Sequence, residues 1–523
     1  METTKKRNGF ASGLGFILAA AGSAVGLGNI WRFPYITAKY GGAAFVIVYI
    51  ISVILMGSIV LVAEMYLGRR AQANPLTAYK KANKGLGFAG ILTIIIPFII
   101  VCYYSVLGGW TFKFAVNSFQ PIEQAANGSS EFFGAFTSNA FEPVFFCVVF
   151  MLLAAFVIMA GVKGGIEKAS KVLMPMLFIL LVAVAIYCLC LGEGVSKGLD
   201  FYLNPDFTKL GFDGVLAAMG QAFYSLSLGM GIMVSYGSYT GKEIKIGKSI
   251  TMIAVFDTVV ALISGLAIFS AVGALKPELL GTEQLRGVTL MYVILPEIFA
   301  QMGAVGQILS FFFFAMVVIA ALTSVISLLE VSTQFVIQKF RVPRKKATLI
   351  LCIVCMILSV PITWSVGGAF NGAITFFGFD LLTFFDEMTN SVLMPLGALL
   401  SCIAIGWCIG KNKTFKDRIN PLKTFRDLEE DGLSLGKFGK VFAFMVKYVG
   451  PLLIIFIEIF GIIGKFAEYE KYNLNFLWIL IFSVVLLIIS IVVYFVFFVN
   501  KETGTNEDEL ALEEQLKATQ QEE

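Results

Sequence analysis

Apolar residues in this chain gather into runs longer than the buried elements of a water-soluble core. Twelve such runs can be marked, at 10–38, 42–68, 88–119, 141–161, 168–191, 212–240, 247–273, 302–338, 346–364, 383–409, 441–465 and 474–499. A helix needs about 20 apolar residues to cross the hydrocarbon of a bilayer, so each run predicts a membrane-spanning helix. Several are longer than that, which predicts tilt, breaks or extensions beyond the bilayer. The polar stretches set the orientation. With the N-terminus in the cytoplasm, the inner segments hold 29 Lys and Arg and the outer loops and helix ends hold 9. Cytoplasmic loops carry the basic excess, and the alternation holds at every loop. A missed or extra helix would invert it downstream. The pattern therefore predicts twelve spans of a cell (plasma) membrane protein with both termini cytoplasmic. Longer outer loops are predicted at 192–211 and 274–301, the second with short helices. The acidic tail 500–523 reads as a short surface helix or a disordered segment.

Composition narrows the class. Hydrophobic residues make up 58% and charged residues 14%, against about 25% charged in soluble domains. Mean hydropathy is +0.85. A net charge of +4 without a basic block gives no reason to expect nucleic acid. The polar start Met1 to Asn8 runs directly into an apolar segment that carries functional-looking residues, so no cleavable signal peptide is expected. All eight cysteines lie in apolar segments, which predicts no disulfide framework. The absence of histidine removes the usual metal ligand and general base.

Two runs contain breaks. The first reads Gly22-Ser23-Ala24-Val25-Gly26-Leu27-Gly28-Asn29 in mid-span, the sixth Ser225-Leu226-Ser227-Leu228-Gly229-Met230-Gly231. Broken helices at membrane depth are tolerated only inside protein or along a cavity. The first run starts inside and the sixth outside, so two five-helix halves would be inverted, and paired breaks at matching positions point to a central binding site. Close packing through small residues is the alternative. The predicted architecture is an all-α polytopic membrane protein with a 5+5 inverted repeat. Residues 1–9 form the cytoplasmic N-terminus and 10–410 a ten-helix core, with repeats at about 10–191 and 212–410. A cytoplasmic loop at 411–440, the last two helices at 441–499 and the tail at 500–523 follow.

At these residues the chain resembles a known family. Asn29-Ile30-Trp31-Arg32-Phe33-Pro34-Tyr35 after Ala24-Val25-Gly26-Leu27-Gly28 is similar to the first helix of the neurotransmitter:sodium symporters, among them a bacterial leucine transporter. Gly41-Gly42-Ala43-Ala44-Phe45, Glu64 with Gly68-Arg69, Tyr103-Tyr104, Gly165-Ile166-Glu167-Lys168 with Pro175, Gln221 to Ser227 and Leu322-Thr323-Ser324 extend the likeness through the eighth helix. The tenth matches more weakly, and the last two carry little signal.

The resemblance implies a sodium-coupled amino-acid symporter and two sodium sites. Sodium is a hard cation that favours oxygen ligands. For the first site it implies the Ala24 carbonyl, Asn29, Ser225 and Asp257, with the substrate carboxylate closing the shell. For the second it implies the carbonyls of Gly22, Val25 and Ala320 with Thr323 and Ser324. The alternative for Thr323 and Ser324 is bonding back to their own helix. The substrate would meet Ser23, Ala24, Gly26, Ile100, Tyr104, Tyr224, Ser225, Ser227, Met230, Ser324 and Leu328. Gly26 stands where monoamine carriers have an aspartate, which leaves room for the substrate's own carboxylate. The side-chain subsite holds no fixed charge and the adaptable Met230, so a neutral, hydrophobic or aromatic amino acid is expected.

Asp257 departs from the family pattern. An unpaired carboxylate inside a span costs ~2.5–3.5 kcal/mol on insertion scales and needs a cation or a proton. The family position is often asparagine. Animal relatives bind chloride nearby, and the leucine transporter has a glutamate one turn on, where this chain has Ala261. Asp257 would supply that charge, so transport is expected to be chloride-independent. Glu64 is read as a brace of helices 1 and 6. Arg32 and Asp386 resemble an outer gate pair. Arg7 and Tyr239 match an inner gate, but its usual acid falls at Gln338, so Glu330 or another acid substitutes or the gate is weaker. Gly165 and Pro175 resemble a segment that unwinds to admit water, an ordinary helix start and kink being the alternative. A channel would show pore-lining polar residues along a helix, whereas here they cluster at one depth. An intramembrane enzyme would need a metal motif or paired catalytic acids, and the sequence has neither. The implied partners are the amino acid and the lipid bilayer.

Overall fold

The twelve-run pattern reappears in the tertiary structure, a computed structural model that describes residues 9–119, 128–241, 243–282, 285, 287–366, 373–409, 420–430, 432–471, 473–501, 504–509, 511 and 515. In lipid every backbone N–H and C=O must bond within its own segment, which makes helices of the apolar runs. The spans are α1a Gly13–Ala24 with α1b Gly28–Lys39, α2 Ala43–Ala71, α3 Lys84–Asn117, α4 Glu142–Met159, α5 Val162–Leu189, α7 Ile246–Leu275, α8 Gly303–Phe340, α9 Arg344–Val366, α10 Leu381–Cys408, α11 Gly439–Glu470 and α12 Leu477–Phe498. Among the described residues ten are continuous, and the pair α1a/α1b, bent by 53°, is an eleventh. The sixth run forms α6a Phe207–Ser225 and α6b Ile232–Ser238. Neither half is long and apolar enough to cross by itself. The loop at 274–301 carries the expected short helix, Gly287–Gln301, and the loop at 192–211 carries one that was not expected, Val195–Leu203.

Burial ranks the helices. Of its most apolar stretch α8 buries 78% and α3 67%, whereas α11 and α12 bury 28% and 22%. The central pair α3 and α8 therefore turns its apolar surface toward protein, and the last two helices turn theirs toward lipid. Both breaks lie within this packed interior. Val25, at φ −72° and ψ 103°, leaves the helical region and ends α1a. Between α6a and α6b the chain turns through Ser227, Gly229 and Gly231 at φ 54°, 78° and 69°. Positive φ is a glycine conformation, uncommon for serine. At Gly229 a Cβ would also overlap the Met394 carbonyl of α10.

The tail departs from expectation. Residues 506–509 are helical and dock against the ends of α6b, α8 and α9, with Asn506 and Glu509 buried. A polar segment can leave water when its groups meet partners, and composition does not reveal those partners.

Candidate functional site

The two breaks face each other across a cavity walled by α1, α3, α6 and α8. Ser23, Ala24 and Gly26 come from α1, Ile100 and Tyr104 from α3, Tyr224, Ser225, Ser227 and Met230 from α6, and Ser324 and Leu328 from α8. The structure thus gathers every substrate residue implied by the resemblance into one space. Gly28 also lines it. That glycine was missed because its contribution is the side chain it lacks. A Cβ there would press into the Tyr224 ring.

Unwound backbone supplies the cavity's polar groups. The Leu27 N–H donates to the Tyr104 hydroxyl at 3.0 Å, which leaves the phenol proton free for another acceptor. The Ser23 carbonyl accepts from Ser227 at 2.9 Å and Ser324 at 3.3 Å, while the Ser23 hydroxyl is buried and bonds no partner among the described residues. A Cβ on Gly26 would lie 2.8 Å from Ser324 Oγ and 2.9 Å from the Tyr104 hydroxyl oxygen. Space for a small anionic group therefore remains between these hydroxyls only because residue 26 is glycine.

Beside this space sits a closed polar cluster. Asp257 on α7 is fully buried. Its Oδ2 accepts from Ser225 Oγ at 2.6 Å and the Tyr49 hydroxyl at 3.3 Å. Its Oδ1 accepts from Asn29 Nδ2 at 2.8 Å. The same amide nitrogen donates to Ser225 Oγ at 2.9 Å and the Asp257 carbonyl at 3.2 Å, and Asn29 Oδ1 accepts from the Gly26 N–H at 3.2 Å. Asn29, Ser225 and Asp257 are thus brought together, with Ala24 in the adjoining cavity wall. Here the Asn29 amide turns its NH₂ toward the carboxylate, which satisfies the oxygen's hydrogen bonding and leaves its charge uncompensated. A half-turn of that amide presents Oδ1 instead, and the donor set becomes all oxygen, as a hard cation needs. Tyr49 escaped sequence reading, although a tyrosine inside an apolar span carries a hydroxyl that needs a partner.

The second implied cation set also converges. Thr323 Oγ1 donates to Ile319 and Ala320 carbonyls at 3.1 and 3.0 Å, the back-bonding weighed as the plain alternative. That geometry spends the hydroxyl proton and leaves the oxygen lone pairs available. Ser324 Oγ stands 3.5 Å from the Val25 carbonyl. Gly22 packs so closely that a Cβ would meet Thr323 Cβ at 3.3 Å.

The gates differ from their expected pairings. Among the described residues Arg32 makes no direct ion pair with Asp386. Its guanidinium lies 4.6 Å from the centre of the Tyr224 ring, where the ring face attracts a cation, and Asp386 accepts from Asn390 at 2.5 Å. Lid and arginine are thereby stacked over the cavity. Arg7, expected at the inner gate, lies outside the described residues. Tyr239 donates to Glu330 Oε1 at 2.8 Å, and the same carboxylate accepts from Arg344 Nη1 at 3.0 and 2.7 Å. Glu64 does not bridge helices 1 and 6. It accepts from the Gly229 N–H at 2.9 Å and Ser401 Oγ at 3.1 Å, tying the helix 6 break to α10. The free N–H at a broken turn is the nearest donor for a buried carboxylate, and in helix 6 that is Gly229. In α5 the helix runs unbroken from Val162 through Pro175 to Leu189. Glu167 at its start accepts from Ala11 N at 2.6 Å and Ser12 Oγ at 2.8 Å, which ties α5 to the beginning of α1a.

Comparisons with known proteins agree with this geometry. The model of the sodium:neurotransmitter symporter family matches residues 7–129 and 140–503. An uncharacterized sodium-dependent transporter, YhdH of Bacillus subtilis, is 34% identical over 464 residues, covering 87% of this chain and 98% of that protein. An uncharacterized sodium-dependent transporter of Haemophilus influenzae is 30% identical over 471 residues, covering 87% of this chain and 98% of that protein. Among solved structures, the crystal structure of MhsT in complex with L-phenylalanine is similar, with a TM-score of 0.75 and 36% identity, covering 87% of this chain and 99% of that one.

Proposed function

The chain belongs to the sodium:neurotransmitter symporter family, and from that premise we propose that it imports a neutral, hydrophobic or aromatic amino acid together with sodium, independently of chloride. The observation that carries the substrate class is Gly26. With no side chain there, the Leu27 amide, the Tyr104 hydroxyl and Ser324 surround a gap that fits a carboxylate. The gap adjoins Ile100, Met230 and Leu328, and no charged side chain lines the cavity. The structurally similar MhsT complex holds L-phenylalanine, which agrees with such a ligand.

In this mechanism the amino acid enters from outside and lays its carboxylate beside Tyr104 and the first sodium. That sodium is held by the Ala24 carbonyl, Asn29, Ser225 and Asp257. A second sodium between the Gly22, Val25 and Ala320 carbonyls, Thr323 and Ser324 joins α1a to α8. Each ion thus ties a broken helix to a continuous one and favours the closed arrangement only when bound. Tyr224 and Arg32 close above the ligand, with Asp386 nearby, and Arg7, Tyr239 and Glu330 serve the opposite end. Asp257 supplies the negative charge that balances the cations, so no anion is required. The basic excess of the inner loops supports cytoplasmic termini. The test is uptake into proteoliposomes of a panel of labelled amino acids under an inward sodium gradient. Preference for phenylalanine-, leucine- or tryptophan-like substrates is expected, whereas preference for glutamate, lysine or dopamine would sink the proposal.

A further inference from the structure

Beyond the transport site, buried charge extends past Glu330 to two groups the mechanism leaves unused, Arg344 and Glu509. Arg344, the first residue of α9, lies between two carboxylates. Nη1 donates to both oxygens of Glu330, at 3.0 and 2.7 Å, and Nη2 donates to Glu509 Oε1 at 2.8 Å. All three side chains are buried, Glu330 and Glu509 almost completely. Glu509 comes from the C-terminal tail, beyond the last lipid-facing helix. Charges leave water in this way only where partners replace its hydration.

Asn506, one turn earlier, is as thoroughly engaged. Its Nδ2 donates to the Ser238 carbonyl at the end of α6b at 2.8 Å. Its Oδ1 accepts from Gln334 at 3.1 Å and Gln338 at 2.6 Å, both on α8. Its backbone N–H donates to the Gln72 carbonyl after α2 at 3.1 Å. Gly504 presses so close to the Gln338 carbonyl that a Cβ there would overlap it. Ahead of this segment, Lys80 donates to the carbonyls of Phe498 and Lys501 at 3.0 and 2.6 Å.

The joined elements are those that must separate for the cavity to open inward. Tyr239 follows α6b, contacts Glu330 through its hydroxyl, and accepts the Phe10 N–H through its carbonyl at 3.3 Å, just ahead of α1a. We propose that segment 504–509 is a working part of the cytoplasmic gate: Asn506 and Glu509 lock α6b and α8 to the start of α9, and the tail must withdraw before the inner pathway opens. Gln338 then has a role despite losing the acid expected there. It binds the tail through Asn506 and Glu509 Oε2, the latter at 3.3 Å.

The test measures inner-gate opening without reference to substrate. In a full-length chain with Cys190→Ser and Cys408→Ser, Ser235→Cys on α6b reports access from the cytoplasm, because Ser235 is buried with its hydroxyl unpartnered. Thiol labelling is compared between that reporter and versions adding Asn506→Ala, Glu509→Gln or both. Glu429→Gln, an exposed charge outside segment 504–509, is the control. We expect labelling without sodium to rise about tenfold for Asn506→Ala and further for the double variant, as when a minor open state gains population. The control should stay at the reporter's rate. Equal rates in reporter and both tail variants, at unchanged melting temperature, overturn the inference. So does a lowered melting temperature with no gain in labelling, which would make the tail only a structural brace. Failure of sodium to slow labelling of the reporter itself counts against the transport mechanism. The tail is then judged on the ratio of variant to reporter.

Discussion

Replacing Asp257 with asparagine isolates the charge from the shape of the first cation site. The exchange is isosteric and its neighbours can adapt. Asn29 still donates to the retained oxygen, while the Ser225 and Tyr49 hydroxyls rotate to accept from the new NH₂. Fold stability should therefore change by less than ~1 kcal/mol. The cation loses more. A unit charge about 4 Å away at an effective dielectric of 20 is worth ~4 kcal/mol. Part of that offsets the cost of keeping a bare carboxylate in the membrane interior. A net loss of ~1.5–3 kcal/mol, the range for hydrogen bonds to charged groups, means roughly a 10- to 150-fold rise in the sodium concentration for half-maximal substrate binding. The assay is equilibrium binding of labelled amino acid to purified protein across a sodium titration, with thermal unfolding as the fold control. Asp257→Asn with wild-type sodium dependence and wild-type melting would refute Asp257 as a sodium ligand and as the built-in counter-charge.

Replacing chloride with gluconate should leave sodium-driven uptake by the wild-type protein intact, and loss of uptake would show that an external anion is needed. Gly26→Asp should lower amino-acid binding at least about a hundredfold, because the new carboxylate would occupy the gap beside Tyr104 and Ser324 and repel the substrate's own. Undiminished binding in a calorimetric titration would move the carboxylate subsite elsewhere. Thr323→Ala removes one oxygen from the second set while α8 keeps its packing, so half-maximal sodium should rise about five- to tenfold, near ~1 kcal/mol. Unchanged sodium dependence in uptake assays would exclude that residue as a ligand.

The spans were legible in the sequence because lipid imposes a single rule, that backbone polar groups bond within their own segment. Their positions along the chain then follow from run length, and ten of them, with the bent first pair, appear as spans among the described residues. The cavity residues were legible for a related reason. A site made from unwound backbone needs small residues at the break, and Gly22 to Gly28 and Ser225 to Gly231 display them in one dimension. The resemblance then supplied Ile100, Tyr104, Met230 and Leu328, which local pattern alone marks only as apolar wall. Pairings between distant residues were decided by tertiary packing. Arg32 lies over Tyr224 rather than against Asp386 because the ring face sits beside it in the folded chain. Glu64 bonds the Gly229 N–H and Ser401 because the helix 6 break, which frees that donor, packs against α10. The acidic tail read as a solvated segment, since its composition favours water. Its burial required Arg344, Gln334, Gln338 and the end of α6b to be assembled first. A polar group's partner depends on distance in three dimensions, and no periodicity encodes it.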